Sequence, residues 1–238
     1  MPTQSYQDRK SELETYFDRT ALDGWKKLTS NEPVSGIRAT VRAGRDQMRA
    51  TLLSWLPDDL HGYRILDAGC GTGALSMQAA LRGGRLTAVD ISHNLIDHAI
   101  EKLPCTPARG MIDFQVGDML SEELGDFDYV VAMDSLIHYG TGDIVRALAK
   151  LSERVRAEIL FTVAPATTAL LAMHTVGKFF PRADRAPAIQ PVAPRVLERE
   201  IAREPALFGW RIAESSRVKS GFYISQAFRL VRDGEARA

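Results

Sequence analysis

Four short apolar runs of this 238-residue chain each lead into a carboxylate: Ile65-Leu66-Asp67, Leu86-Thr87-Ala88-Val89-Asp90, Phe114-Gln115-Val116-Gly117-Asp118 and Val130-Val131-Ala132-Met133-Asp134. The first continues into Gly69-Cys70-Gly71-Thr72-Gly73, with three alternate glycines. Glycine takes positive φ without steric cost and lets a ligand approach where a Cβ would collide. A G-x-G-x-x-G loop would place a pyrophosphate at a helix N-terminus. Here the spacing is G-x-G-x-G, and a carboxylate stands two residues before the first glycine, which disfavours phosphate and favours a cation. The ligand that suits this set carries hydrogen-bond donors and positive charge.

Such carboxylates converge only if the runs are neighbouring strands. Strands are expected at 64–69, 85–90, 113–118, 128–134 and 158–165, with helices at 74–83, 94–103 and 142–155 between most of them. Strand–helix alternation with continuous apolar strands indicates a parallel sheet covered on both faces, whose carboxyl ends form the ligand crevice. Two further β-like runs, 211–220 and 222–232, meet near Gly221 and suit a hairpin at the sheet edge. The expected fold is therefore α/β, a Rossmann-like, mostly parallel sheet with helices on both faces and a C-terminal antiparallel hairpin. Residues 1–62 read as an N-terminal helical lid, and 63–238 as the main domain. A cap insertion is expected at 166–195, where an apolar helical run precedes a proline-rich stretch.

Thirty Lys+Arg balance thirty Asp+Glu, so no global basic field is available to hold nucleic acid. An apolar content of 45% with 25% charged residues is that of a folded chain with a core. Two cysteines, Cys70 and Cys105, are too few for a disulfide framework or a thiolate zinc site and suit a reducing compartment. The polar start lacks signal-peptide order, and no apolar run is long enough for a membrane span. A cytoplasmic protein is expected, with peripheral membrane attachment left open.

S-adenosylmethionine matches the ligand chemistry, with an ammonium, a sulfonium, ribose hydroxyls and an adenine amine. Over roughly residues 63–165 the sequence resembles the class I methyltransferases that use it. The resemblance implies that Asp67, Gly69, Cys70, Gly71 and Gly73 hold the methionine part, and that Asp90, followed by Ile91, takes the ribose hydroxyls. It also places Asp118 and Met119 beside the adenine, and Asp134 towards the methionine end and the acceptor. Helix-capping is the alternative for Asp90, with Ser92 a competitor for that task, and for Asp118 and Asp134.

A closer resemblance, to the magnesium protoporphyrin IX O-methyltransferases, is carried by YFDRTALDGWKKL (16–28), SGIRATVRAGRDQMRATLLSWL (35–56), VGDML (116–120), VVAMDSLIHY (130–139), FTVAPATT (161–168) and KFFPRADRAPAIQP (178–191). It implies methyl transfer to a propionate carboxylate of the Mg-porphyrin. The magnesium belongs to the substrate, and no protein-bound metal is expected. His138, Tyr16 and Asp134 are the catalytic candidates. Tyr16, Arg38, Arg42, Tyr139, His174, Phe179, Arg182 and Arg185 are candidates for holding the acceptor. Arg38, Arg42, Arg45 and Arg49 share one helix face, which suits propionates, anionic lipid or plain solvation. His138 suits a hydrogen bond to the propionate, axial ligation of the substrate magnesium, or a structural place. The porphyrin-binding subunit of magnesium chelatase is the partner implied. The alternatives are methylation of another apolar molecule, such as a quinone precursor, and binding of both ligands without catalysis.

Overall fold

The computed structural model describes residues 3–19, 36–102, 111–166 and 188–234. Its strands are β1 (Arg64–Ala68), β2 (Arg85–Asp90), β3 (Ile112–Val116), β4 (Phe127–Ala132), β5 (Val155–Val163), β6 (Trp210–Ser220) and β7 (Tyr223–Arg232). They form one sheet in the order β3-β2-β1-β4-β5-β7-β6. The first five are parallel. β7 runs antiparallel to both β5 and β6, so the expected hairpin joins the sheet through its second strand and leaves β6 outermost. The outer strand carries Arg211, Glu214, Arg217 and Lys219, charges that protect a free edge.

Alternation along the strands divides the core into two layers. Leu66, Val130, Ile159, Phe161 and Phe228 face α1 (Gln4–Arg19), α5 (Thr141–Ser152) and α6 (Pro194–Arg203). Ile65, Leu86, Ala88, Val131 and Leu160 face α2 (Gly36–Trp55) and α3 (Ala74–Leu81). The apolar stripe of α2, Met48, Leu52 and Leu56, is buried there with Val218 and Ala227 of the hairpin. Thus α1 and α2 lie on opposite faces of the sheet. Helix α4 (His93–Lys102) connects β2 towards β3. Among the described residues no helix is long and apolar enough to cross a membrane.

Boundaries differ where tertiary pairing overrides local pattern. The helix expected through residue 155 stops at Ser152, because the Phe127 amide bonds the Arg154 carbonyl and Val155 pairs with Phe127. β3 ends at Val116 and β4 at Ala132, so Asp118 and Asp134 lie two residues beyond their strands. Most of the expected cap, 167–187, lies outside the described residues.

Candidate functional site

The turn after β1 is held by its neighbour. Gly69 and Cys70 both donate their amides to the Val89 carbonyl, at 2.8 and 3.0 Å, which pins the loop over the end of β2. Gly69 has φ of +81°, and a Cβ there would stand 2.4 Å from Cβ of Ser135. Gly71, at φ +54°, would meet nothing within 4 Å, so its backbone faces open room. Gly73 is the left-handed cap of α3.

Two buried carboxylates flank this loop. Asp67 is 2% exposed, and its Oδ2 accepts the Ser76 hydroxyl at 2.5 Å. Burial pushes its carboxyl up to about 7; the Ser76 hydroxyl works against that shift and the nearby Asp90 charge adds to it. Asp90 accepts the Gly71 amide on Oδ2 and the Ser92 amide on Oδ1, both at 2.9 Å. Desolvation raises its carboxyl too, opposed by those amides. The helix-cap role falls to Ser92, whose hydroxyl accepts the Leu95 amide at 3.2 Å. Cys70 is a thiol kept protonated by burial beside Asp67 and Asp90, which suits packing and not nucleophilic attack.

A cavity of about 260 Å³ opens from these groups and collects Asp67, Gly69, Cys70, Gly71, Asp90, Ile91, Met119, Asp134, His138, Tyr139 and Arg42 of the expected set. Its roof is α1, which contributes Tyr6, Leu13 and Phe17. The helix is tied down along its length. Thr3 and Ser5 donate to Asp143 at 2.6 and 2.9 Å, and the Ser92 hydroxyl donates to Asp18 at 2.7 Å. Between them, Asp118 receives the Tyr6 hydroxyl at 2.9 Å and lies 3.0 Å from Nζ of Lys10. Asp118 also accepts the Leu120 amide and is not among the cavity-lining groups, whereas Gly117 and Met119 are.

Beyond the end of β4, the short turn Leu136–His138 brings His138 into the lining, with Phe17 edge-on at 6.3 Å between ring centroids. Tyr139 stacks on Tyr6 at 4.9 Å. Asp134 has φ of +57°, alone among the described non-glycine residues in that region. Its Oδ2 accepts Nη1 of Arg45 at 2.9 Å, its Oδ1 accepts the Tyr223 hydroxyl at 3.0 Å, and its amide donates to Oγ1 of Thr162 at 2.8 Å. Of the α2 arginines, Arg42, Arg45 and Arg49 line the cavity, while Arg38 is exposed outside it. Tyr16 also lies outside the lining, half-buried against Phe17. His174, Phe179, Arg182 and Arg185 fall outside the described residues.

Several lining groups escaped the sequence reading. Tyr6 and Leu13 lie seven residues apart on one face of α1, a spacing visible in the sequence, but nothing local says that this face covers a ligand cavity. Ser76 and Tyr223, outside the lining, are found only through Asp67 and Asp134, which they hold.

The donor set fits S-adenosylmethionine: buried carboxylates for its ammonium and ribose hydroxyls, open backbone at Gly71, and apolar Ile91 and Met119 in the same lining. Sheet order, glycine turn and strand-end carboxylates define a class I S-adenosylmethionine-dependent methyltransferase. A family profile described as "Methyltransferase domain" matches residues 65–158, and one described as "Magnesium-protoporphyrin IX methyltransferase C-terminus" matches 132–232. The Magnesium-protoporphyrin O-methyltransferase of Rhodobacter capsulatus is 49% identical over 227 residues, covering 95% of this chain and 97% of its own. The corresponding protein of Synechocystis is 28% identical over 94% of this chain and 97% of its own. A crystal structure of magnesium protoporphyrin IX methyltransferase from Synechocystis PCC 6803, with bound SAH, superposes with a TM-score of 0.80 at 25% identity, covering 95% of this chain and all of that one. The chain belongs to the magnesium-protoporphyrin O-methyltransferases.

Proposed function

We propose that the chain transfers the methyl group of S-adenosylmethionine to one propionate carboxylate of Mg-protoporphyrin IX, giving the monomethyl ester of (bacterio)chlorophyll biosynthesis. The observation that carries this reading is the match over 132–232, which runs from the end of β4 through the hairpin, beyond the generic methyltransferase segment. S-adenosylmethionine supplies an electrophilic methyl group. A propionate with an ordinary pKa of about 4.3 is already ionised at neutral pH, so the protein has no strong base to provide. Its work is orientation and exclusion of water, which can contribute roughly 7–11 kcal/mol.

In this reading Asp67 and the Gly69–Gly73 loop hold the amino-acid end of the donor, Asp90 and Ile91 the ribose, and Met119 with Asp118 the adenine side. The α1 roof keeps water out. His138 and Tyr139 stand on the acceptor side with Arg42, and Asp134 lies between the two ligands. His174, Phe179, Arg182 and Arg185 complete the acceptor-holding set, with 166–195 acting as cap. Tyr16 and Arg38 lie outside the cavity lining, and of the expected lid 1–62 it is α1 that roofs the cavity, while the apolar stripe of α2 is packed in the core. The porphyrin-binding subunit of magnesium chelatase is the proposed source of the acceptor, and the proposed place of work is the cytoplasm, with peripheral membrane attachment left open. Incubation with S-adenosylmethionine and Mg-protoporphyrin IX tests the reading: mass spectrometry should find the monomethyl ester. No ester, together with methylation of a quinol ring, would transfer the assignment to a quinone precursor. Tight binding of both ligands without S-adenosylhomocysteine would leave a non-catalytic carrier.

A further inference from the structure

Protoporphyrin carries two propionates, and the reaction consumes the charge of one. A lone pair on the carboxylate oxygen forms the new O–C bond, the C–S bond breaks, and its electron pair stays on sulfur. Anion and sulfonium become neutral ester and thioether, so charge falls along the reaction coordinate. A guanidinium against the reacting carboxylate would stabilise the ground state more than the transition state and slow transfer. Placed on the other carboxylate, the same cation stabilises both states alike and selects which end of the acceptor is presented.

Arg45 has the construction for that second task. It lines the cavity, its side chain is 19% exposed, and Nη1 is fixed 2.9 Å from the buried Asp134 carboxylate. Asp134 is itself held by Tyr223 from β7 and by Thr162 from β5, so the guanidinium is anchored to the sheet before any ligand arrives. A guanidinium has five donors in a planar fork and can hold one carboxylate while addressing a second. Arg42, three residues away on the same helix face, lines the cavity as well, as does Arg49, which is bonded to Asp46. We propose that Arg45, positioned by Asp134 and Tyr223 and with Arg42 beside it, binds the propionate that is not methylated. The site then selects dicarboxylic acceptors and disfavours re-methylation of its own monoester. This inference rests on the porphyrin-methylating reading above.

The test compares Mg-protoporphyrin IX with its analogue bearing one propionate as the amide, using wild type, Arg45→Gln and Arg45→Lys. Wild type should show a KM about tenfold or more lower for the diacid. Arg45→Gln should raise the diacid KM to that of the monoamide, barely move the monoamide KM, and lower kcat less than it raises KM. Arg45→Lys should recover part of the preference. Because Arg45→Gln leaves Asp134 without its cation, the neutral pair Arg45→Gln/Asp134→Asn is measured alongside and should show the same loss of preference. Equal losses on the two acceptors would overturn the proposal. So would a weakened S-adenosylmethionine Kd with unchanged acceptor KM, which would assign Arg45 to the carboxylate of the donor. Wild type that esterifies the diacid without preferring it refutes this inference alone; wild type that esterifies neither porphyrin refutes the parent reading and this one with it.

Discussion

Gly69 and Ser135 touch across the mouth of the site: a Cβ on Gly69 would stand 2.4 Å from the serine Cβ, in a backbone with φ of +81°. The turn after β1 and the turn after β4 are therefore packed without room for one carbon. Gly69→Ala faces both the collision and the left-handed strain, the latter alone costing about 1–2 kcal/mol. It should weaken S-adenosylmethionine binding by at least about tenfold and lower Tm. Adding Ser135→Gly removes the collision and not the strain, so calorimetry on the double variant should recover part of the affinity. Full affinity in Gly69→Ala would show that the turn has more freedom than this contact allows.

The raised carboxyl of Asp67 makes donor binding and stability depend on pH in opposite senses. Burial moves it from 3.8 to about 7. Between those values the folded apoprotein holds a proton that the unfolded chain has lost. Stability from this group is thus present below about pH 4 and disappears as pH rises through 7. Asp67→Asn should gain stability relative to wild type over that window, by no more than about 4 kcal/mol. The donor's ammonium favours the ionised carboxylate, so wild-type affinity should weaken as pH falls below 7, and the variant should be weaker with a flatter profile. Denaturation and titration calorimetry from pH 5 to 8 read both effects; parallel profiles for the two proteins would remove Asp67 from the donor site.

The sheet and its carboxylates were legible because the apolar runs 64–69, 85–90 and 128–134 carry burial in their own composition, and the glycine turn needs no distant partner to be recognised. The partners of those carboxylates were not. Asp118 meets Tyr6 across 112 residues and Asp134 meets Arg45 across 89, and the helical period of α1 or α2 says which residues share a face but not what that face covers. Arg38 and Arg42 illustrate the same limit. Both belong to the arginine face of α2, yet Arg42 lines the cavity and Arg38, near the helix start, stays in solvent.

Asp118 ties α1 to the turn after β3, so its removal should loosen the roof before it loosens the fold. The Tyr6 hydroxyl donates to it at 2.9 Å and Lys10 stands at 3.0 Å, the latter pair partly exposed. A partly exposed ion pair contributes little to global stability, on the order of 1 kcal/mol. Asp118→Ala should therefore change Tm slightly while amide exchange of residues 4–17 accelerates and donor dissociation quickens. Unchanged exchange in α1 would mean that the contacts of Asp18 and Asp143 hold the helix by themselves.

His138 separates the remaining acceptor chemistries. It is buried at the end of the turn Leu136–His138, faces the cavity, and has Phe17 edge-on at 6.3 Å. His138→Ala should leave the S-adenosylmethionine Kd nearly intact, because the donor contacts proposed here come from other elements, and should lower the single-turnover rate of ester formation about tenfold or more, within the range of one lost orienting hydrogen bond. Metal-free protoporphyrin then distinguishes two roles. A hydrogen bond to the propionate predicts the same loss with and without magnesium, and partial recovery in His138→Asn. Axial ligation of the substrate magnesium predicts a loss confined to the metalated acceptor, because neutral imidazole is a good magnesium-porphyrin ligand only where the metal is present. Normal turnover of His138→Ala on both acceptors would return the residue to a packing role between Phe17 and the turn that carries it.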